Sequence, residues 1–319
     1  MSQGVEVTFE MSERSELDAY RSAASVETAI KEAAKKAALQ NQSKTVSEYI
    51  RLAYFDRLLC RIFSVGDKSQ WILKGGNGML ARLADARRTT DLDLFTDELT
   101  TDEAKSELTR LASIDLGDYF SFRYIREEVN KNSQAQSNVE VMKIFFEVYI
   151  GAQSKQQPIK IDVAVGKVAP NRVDILKPVS RLELPKLVSF DYRLWSIENQ
   201  IADKVCATLQ SYVGGKSTRS KDLFDLLVIA QTQTVGSSSL AQALSTEAAG
   251  RNIELGTKFN FPNNWWNLIS SEHRNSKYLK SFVDVESVSD HLNRLIFGCE
   301  LEAEQTWNPE VLNWQSPAR

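Results

Sequence analysis

The residues with the plainest chemical potential are Asp91 and Asp93, two carboxylates separated by one leucine in the run "TTDLDLF". In an extended chain, residues two apart face the same side about 7 Å from one another, so Asp91, Asp93 and Phe95 share a face while Leu92 and Leu94 share the other. Like charges at that range raise one another's pKa unless a cation neutralises them, and a hard divalent ion with oxygen ligands is the natural partner. "IKIDV" supplies a third carboxylate. With Ile159, Ile161, Val163 and Val165 turned to a core, Asp162 stands on the opposite face beside Lys160 and Ala164. Three aspartates on two strands predict a site for a pair of magnesium ions. Shortly upstream, Gly75 and Gly76 open a helix, where backbone N–H groups can cradle phosphate. Each feature alone has a plainer account, a solvated strand edge for Asp-x-Asp and a tight turn for the glycines. Together they are the two halves of a nucleotidyl-transfer site.

The elements that must position these residues follow from periodicity. "SVETAIKEAAKKAALQ" and "TVSEYIRLAYFDRLLCRIF" read as helices, the second opening with a capping box at Thr45 and Glu48 and carrying Ile50, Tyr54, Leu58 and Ile62 on one face. "WILK" reads as a short strand, "NGMLARLA" as a helix, "DLDLF" as a strand, and "TTDEAKSELTRLA" as a helix capped by Thr100 and Glu103. Four extended runs follow: "YFSFRYI", "VEVMKIFFEVYI", "PIKIDVAVG" and "RVDILKPV". From about residue 195 the pattern returns to helices, "IENQIADKVCATLQSYV", "SKDLFDLLVIAQ" and "SLAQALSTEAA". The expected class is α+β: N-terminal helices and a mixed sheet over 1–194, then a mainly helical domain over 195–319.

The chain of 319 residues has an ordinary globular composition, with 42% hydrophobic and 25% charged residues. Its three cysteines are far apart, which argues against a disulfide framework or a zinc cluster and favours a reducing, cytoplasmic setting. The N-terminus lacks signal-peptide order, and no apolar run approaches the ~20 residues of a membrane span. The net charge of −3 hides polarity along the chain. Residues 151–221 carry twelve basic against six acidic residues, a surplus of +6, while the segments before and after stand at −4 and −5. Such a zone fits a phosphate-rich partner, although basic segments are more often solvated faces.

The order "LKGGNGMLARL…RRTTDLDLF", "IKIDV", "IADKVCAT", "RSKDLFDLL" resembles the AbiEii and MenT group of nucleotidyltransferase toxins, members of the DNA polymerase β-type superfamily, over roughly residues 47–232. The resemblance implies a polymerase β-like core. It implies phosphate-binding roles for Gly75 and Gly76, with Lys74 before them and Asn77 after. Arg87 and Thr89 match the basic and hydroxyl positions ahead of the metal carboxylates Asp91 and Asp93, and Asp162 matches the third carboxylate. Lys204 matches a helical lysine that contacts nucleotide phosphate, and Asp222 a late acidic residue, with Arg219, Lys221 and Asp225 around it. Read without the resemblance, Lys204 borders the buried stripe Ile197, Ile201, Val205 and Leu209 as a surface lysine would, and Asp222 and Asp225 are acids placed favourably at a helix start.

The reaction so implied is magnesium-assisted transfer of a nucleotide from an NTP to an RNA acceptor, the tRNA 3′ end, with an antitoxin encoded alongside. Transfer to a protein side chain, NTP binding with another output, or a silent nucleotide-binding fold are the alternatives. "GGKST" at 214–218 imitates the end of a P-loop but lacks the required upstream glycine and strand. His273 and His291 have no partner motif for a metal or a triad, and Trp265 and Trp266 read as packing.

Overall fold

The structure, a computed structural model, describes residues 19–129, 139–155, 157–166, 170, 172–210, 219–299 and 304–316. Two helices open it, α1 (Ala23–Gln40) and α2 (Val46–Ile62), and both carry capping boxes, on Ser22 with Ser25 and on Thr45 with Glu48. The stripe expected on α2 is wider than its spacing suggests. From Ala53 onward nearly every residue is buried, including Asp56, Arg57 and Arg61.

Next come β1 (Ile72–Lys74), α3 (Gly75–Arg82), β2 (Leu92–Thr96), α4 (Thr101–Ala112), β3 (Phe120–Val129), β4 (Val139–Ile150), β5 (Gln153–Ser154), β6 (Ile159–Gly166), β7 (Val173–Leu176) and β8 (Tyr192–Trp195). Their strands form one mixed sheet in the order β3-β4-β6-β2-β1-β8-β7, with β5 extending β4. β2 runs parallel to β6 and β1 parallel to β8, and the remaining pairs are antiparallel. α1, α2 and α4 cover one face, burying Leu92, Leu94, Ile144, Phe146, Ile161 and Val163 in a single apolar cluster. The alternation of these residues therefore leaves Asp93, Lys143 and Asp162 on the other face. α2 is pinned beneath the sheet by a buried ion pair in which Arg61 donates to both oxygens of Asp118, at 3.0 and 2.7 Å.

β8 is absent from the sequence reading, which turns to helices at about the same place. Only four residues long, it takes its strand state from β1 and β7 on either side. The remaining part contains α5 (Ile197–Leu209), α6 (Ser220–Thr232), β9 (Val235–Gly236), α7 (Ser237–Gly250), α8 (Asn264–Glu272), α9 (Val285–Phe297), β10 (Thr306–Asn308) and β11 (Asn313–Gln315). Its apolar residues form a second cluster, which α3 joins through Met79 and Leu80. Trp265 is packed there, as expected, and the small β11-β10-β9 sheet closes the end. The "GGKST" segment lies outside the described residues. Among the described residues no helix is long and apolar enough to cross a membrane.

Candidate active site

The open face of the sheet carries four charged residues in one transverse row. The register pairs Lys74 with Asp93, Asp93 with Asp162, and Asp162 with Lys143 across β1, β2, β6 and β4. Neighbouring strands lie ~4.8 Å apart, so the two central aspartates project from adjacent positions on the same face. Asp91 enters from the residue before β2. Its main-chain oxygen accepts from Asn77 Nδ2 at 2.6 Å and from Thr89 Oγ1 at 3.3 Å. Its carboxylate accepts from Thr90 and from Lys160 Nζ, the latter at 2.5 Å. Lys160 also lies 3.7 Å from Asp162 Oδ2.

The glycine turn is built against this row. β1 runs straight into α3, which begins at Gly75 rather than at Asn77; Gly75 takes φ +61°, a left-handed conformation that costs other residues free energy and turns the chain sharply from strand to helix. A Cβ on Gly75 would overlap the Asp93 carboxylate, and one on Gly76 would come within 3.0 Å of Thr89. The glycines therefore allow the helix start and the carboxylates to touch. A cleft of about 520 Å³ opens there, lined by Gly76, residues 87–91, Asp93, Lys221, Glu272 and His273.

Electrostatics separates the three aspartates. Burial and the neighbouring Asp162 and Asp91 push Asp93 up to about 7, against the opposing pull of Lys74. Burial also raises Asp162, whose Oδ1 is buried with no hydrogen-bond partner among the described residues. Asp91 is likewise subject to burial, but the hydrogen bonds and charge of Lys160 and Thr90 outweigh it and hold Asp91 low. Oxygen donors, one orphaned and one forced toward neutrality, suit a hard divalent cation at Asp93 and Asp162. Among the described residues, however, no three His, Cys, Asp or Glu side chains group as a complete ligand set.

The second group of expected residues forms an adjoining network. Lys204 is buried, donating to Asp225 Oδ2 at 2.7 Å and Asp222 Oδ1 at 3.2 Å. Arg87 grips Asp225 through two bonds of 2.8 Å, and Arg219 reaches Asp222 at 3.3 Å. Burial opposes the Lys204 charge, but Asp225 and Asp222 raise its pKa well above the ordinary lysine value. Lys204 is thus no surface lysine. Arg87 faces Asp225 as well as the cleft, and Asn77 serves the Asp91 loop. Lys74 lies over the Trp195 ring at 4.6 Å.

Three residues near the site were given no role from sequence. Lys160 had a legible signal, since it shares the face of Asp162 two residues away. Asp203 pairs with Arg251 at 2.6 Å and is held down to about 2, burial being outweighed by Lys74, Arg251 and Lys204. His273 stacks on Phe224 at 3.8 Å on the cleft wall, a contact made only by the fold.

The family model described as nucleotidyl transferase AbiEii toxin, type IV toxin–antitoxin system, matches residues 57–293. The chain belongs to the AbiEii family. It is a nucleotidyltransferase and the toxin of a type IV toxin–antitoxin system, which implies a nucleotide substrate and a cognate antitoxin. The fold is similar to that of MenT4, a nucleotidyltransferase toxin from Mycobacterium tuberculosis, with a TM-score of 0.51 at 14% identity, covering 83% of this chain and 88% of that one. A putative nucleotidyltransferase from Helicobacter pylori aligns with a TM-score of 0.41 at 14% identity, over 76% of this chain and 91% of its own. No curated protein matches. The AbiEii match reaches past residue 250, beyond the part of the chain in which the motifs were recognisable.

Proposed function

We propose that this AbiEii toxin transfers a nucleotide from an NTP to an RNA acceptor, the 3′ end of tRNA, in a magnesium-dependent reaction that blocks translation in the cytoplasm. The observation that carries the reading is the pairing of Asp93 with Asp162 against the Gly75 turn. Magnesium held by Asp93 and Asp162, with Asp91 beside them, would neutralise the triphosphate and acidify the acceptor hydroxyl.

The chain's own groups do the rest. Backbone N–H groups at Gly75 and Gly76 bind phosphate oxygens, with Lys74 before them. Arg87, Arg219 and Lys204 set a positive field behind the cleft, anchored by Asp222 and Asp225. The Asp162 carboxylate accepts the proton of the acceptor hydroxyl as the hydroxyl oxygen bonds to the α-phosphorus. The bond between that phosphorus and the β-bridging oxygen breaks, and pyrophosphate leaves. Residues 1–194 hold the transferase unit and 195–319 a mainly helical unit that supplies Lys204 and Asp222, with α3 of the first unit packed into the apolar cluster of the second through Met79 and Leu80. Three free cysteines support the reducing compartment.

Incubation with each α-labelled NTP, Mg²⁺ and bulk tRNA tests the reading. Label is expected on tRNA with wild-type protein and not with Asp93→Ala, which should fold normally. Label on protein instead of RNA, or equal labelling by the variant, overturns it.

A further inference from the structure

We propose that Lys160 takes the place of a second metal ion, so that the site works with one divalent cation; this rests on the magnesium-dependent transfer proposed above. Lys160 and Asp162 are two apart on β6 and share its open face. β6 runs parallel to β2 with Ile161 opposite Leu92, so Asp91, just before Leu92, comes level with Lys160. The ammonium is 2.5 Å from Asp91 Oδ2 and 3.7 Å from Asp162 Oδ2. The first and third carboxylates of the site therefore already share a cation, supplied by the chain itself.

The other side of the carboxylate group is equipped differently. Asp162 Oδ1 is buried and has no hydrogen-bond partner among the described residues. Asp93 feels Lys74 and Lys204 only through space, and both ammonium groups are engaged elsewhere, on the Trp195 ring and on Asp222 and Asp225. One place in the site is filled by an ammonium and one is open to a cation. One ammonium and one divalent ion neutralise three carboxylates. A second divalent ion between Asp91 and Asp162 would have to expel Lys160, whose strand is fixed on both sides by β2 and β4.

Electron paramagnetic resonance titration with Mn²⁺ alone should saturate at one ion per chain for wild-type protein, two for Lys160→Met and one for Lys160→Arg, with circular dichroism checking the fold. Asp93→Asn should remove the wild-type ion. Two ions on the wild type, or one on a folded Lys160→Met, overturns the inference and leaves the transferase reading standing. If Lys160→Met does not fold, the counts on wild type and Lys160→Arg decide. No bound Mn²⁺ on any of the proteins overturns this inference, while the metal-dependent reading is decided separately by whether label reaches tRNA with and without Mg²⁺.

Discussion

Asp93 on β2 is the register partner of Asp162 on β6, its neighbour in a parallel pair of strands. Sixty-nine positions separate them in sequence, yet the ladder sets their side chains out from adjacent positions on one face of the sheet. The backbone register fixes where the two side chains start, which rotation about their own bonds cannot change. Lys74 and Lys143 flank the pair in the same row, so the charges read plus, minus, minus, plus across four strands.

Replacing Gly75 with alanine should disable the site more than the fold. The positive φ costs a non-glycine residue on the order of 1–2 kcal/mol. The added methyl group meets the Asp93 carboxylate, which must turn away from the helix start. Nucleotide transfer should fall at least ~100-fold, about 2.7 kcal/mol in barrier, while urea unfolding shifts modestly. Transfer within a few-fold of wild type would mean that the close approach is unimportant.

The raised pKa of Asp93 makes the stability of the fold depend on pH. Raised by burial to about 7 from an ordinary 3.8, the folded carboxyl keeps a proton that the unfolded chain releases as pH climbs between those values. Folding stability from this group is therefore full below pH 4 and declines up to about pH 7. Asp93→Asn removes the penalty, so in metal-free buffer the variant should gain on the order of 2–4 kcal/mol over wild type at pH 8 and little at pH 4. Denaturant melts of both proteins at the two pH values measure the difference; a gain independent of pH would contradict the raised pKa.

Asp225 joins two cations, accepting from Lys204 at 2.7 Å and from both nitrogens of the Arg87 fork at 2.8 Å. Asp225→Ala leaves buried Lys204 and Arg87 short of a counter-charge, at a cost of ~3–5 kcal/mol. Adding Lys204→Met to that variant should recover part of the loss, because it removes one stranded charge. Urea denaturation of the two single variants and the double variant measures the coupling, and strict additivity would show that the pair does not interact.

Sequence by itself determined much of the local structure. The caps at Thr45 and Thr100, the alternation in β4 and β6 and the helical spacing of α5, α6 and α7 are near-neighbour signals, and they appear where expected. After about residue 250 sequence reading assigns no element, although Asp284 capping Ser287 and the spacing of Val288, Leu292 and Leu295 carry a helical signal for α9. The four residues of β8 carry too little pattern to be recognised without their neighbours.

Residue types and their order also identified the carboxylates and glycines, since Asp91 and Asp93 must share a face in any extended chain. Partnership was another matter. Which strand lies beside β2 depends on sheet order, and only that order brings Asp162 level with Asp93 and Lys160 within reach of Asp91. The burial of Lys204 between Asp222 and Asp225 arises in the same way, from the packing of α5 against α6. Periodicity fixes the face on which a residue lies because it is a property of consecutive residues. The group that residue meets there, and hence its charge state, is set by segments distant in sequence, and those come together only in the folded chain.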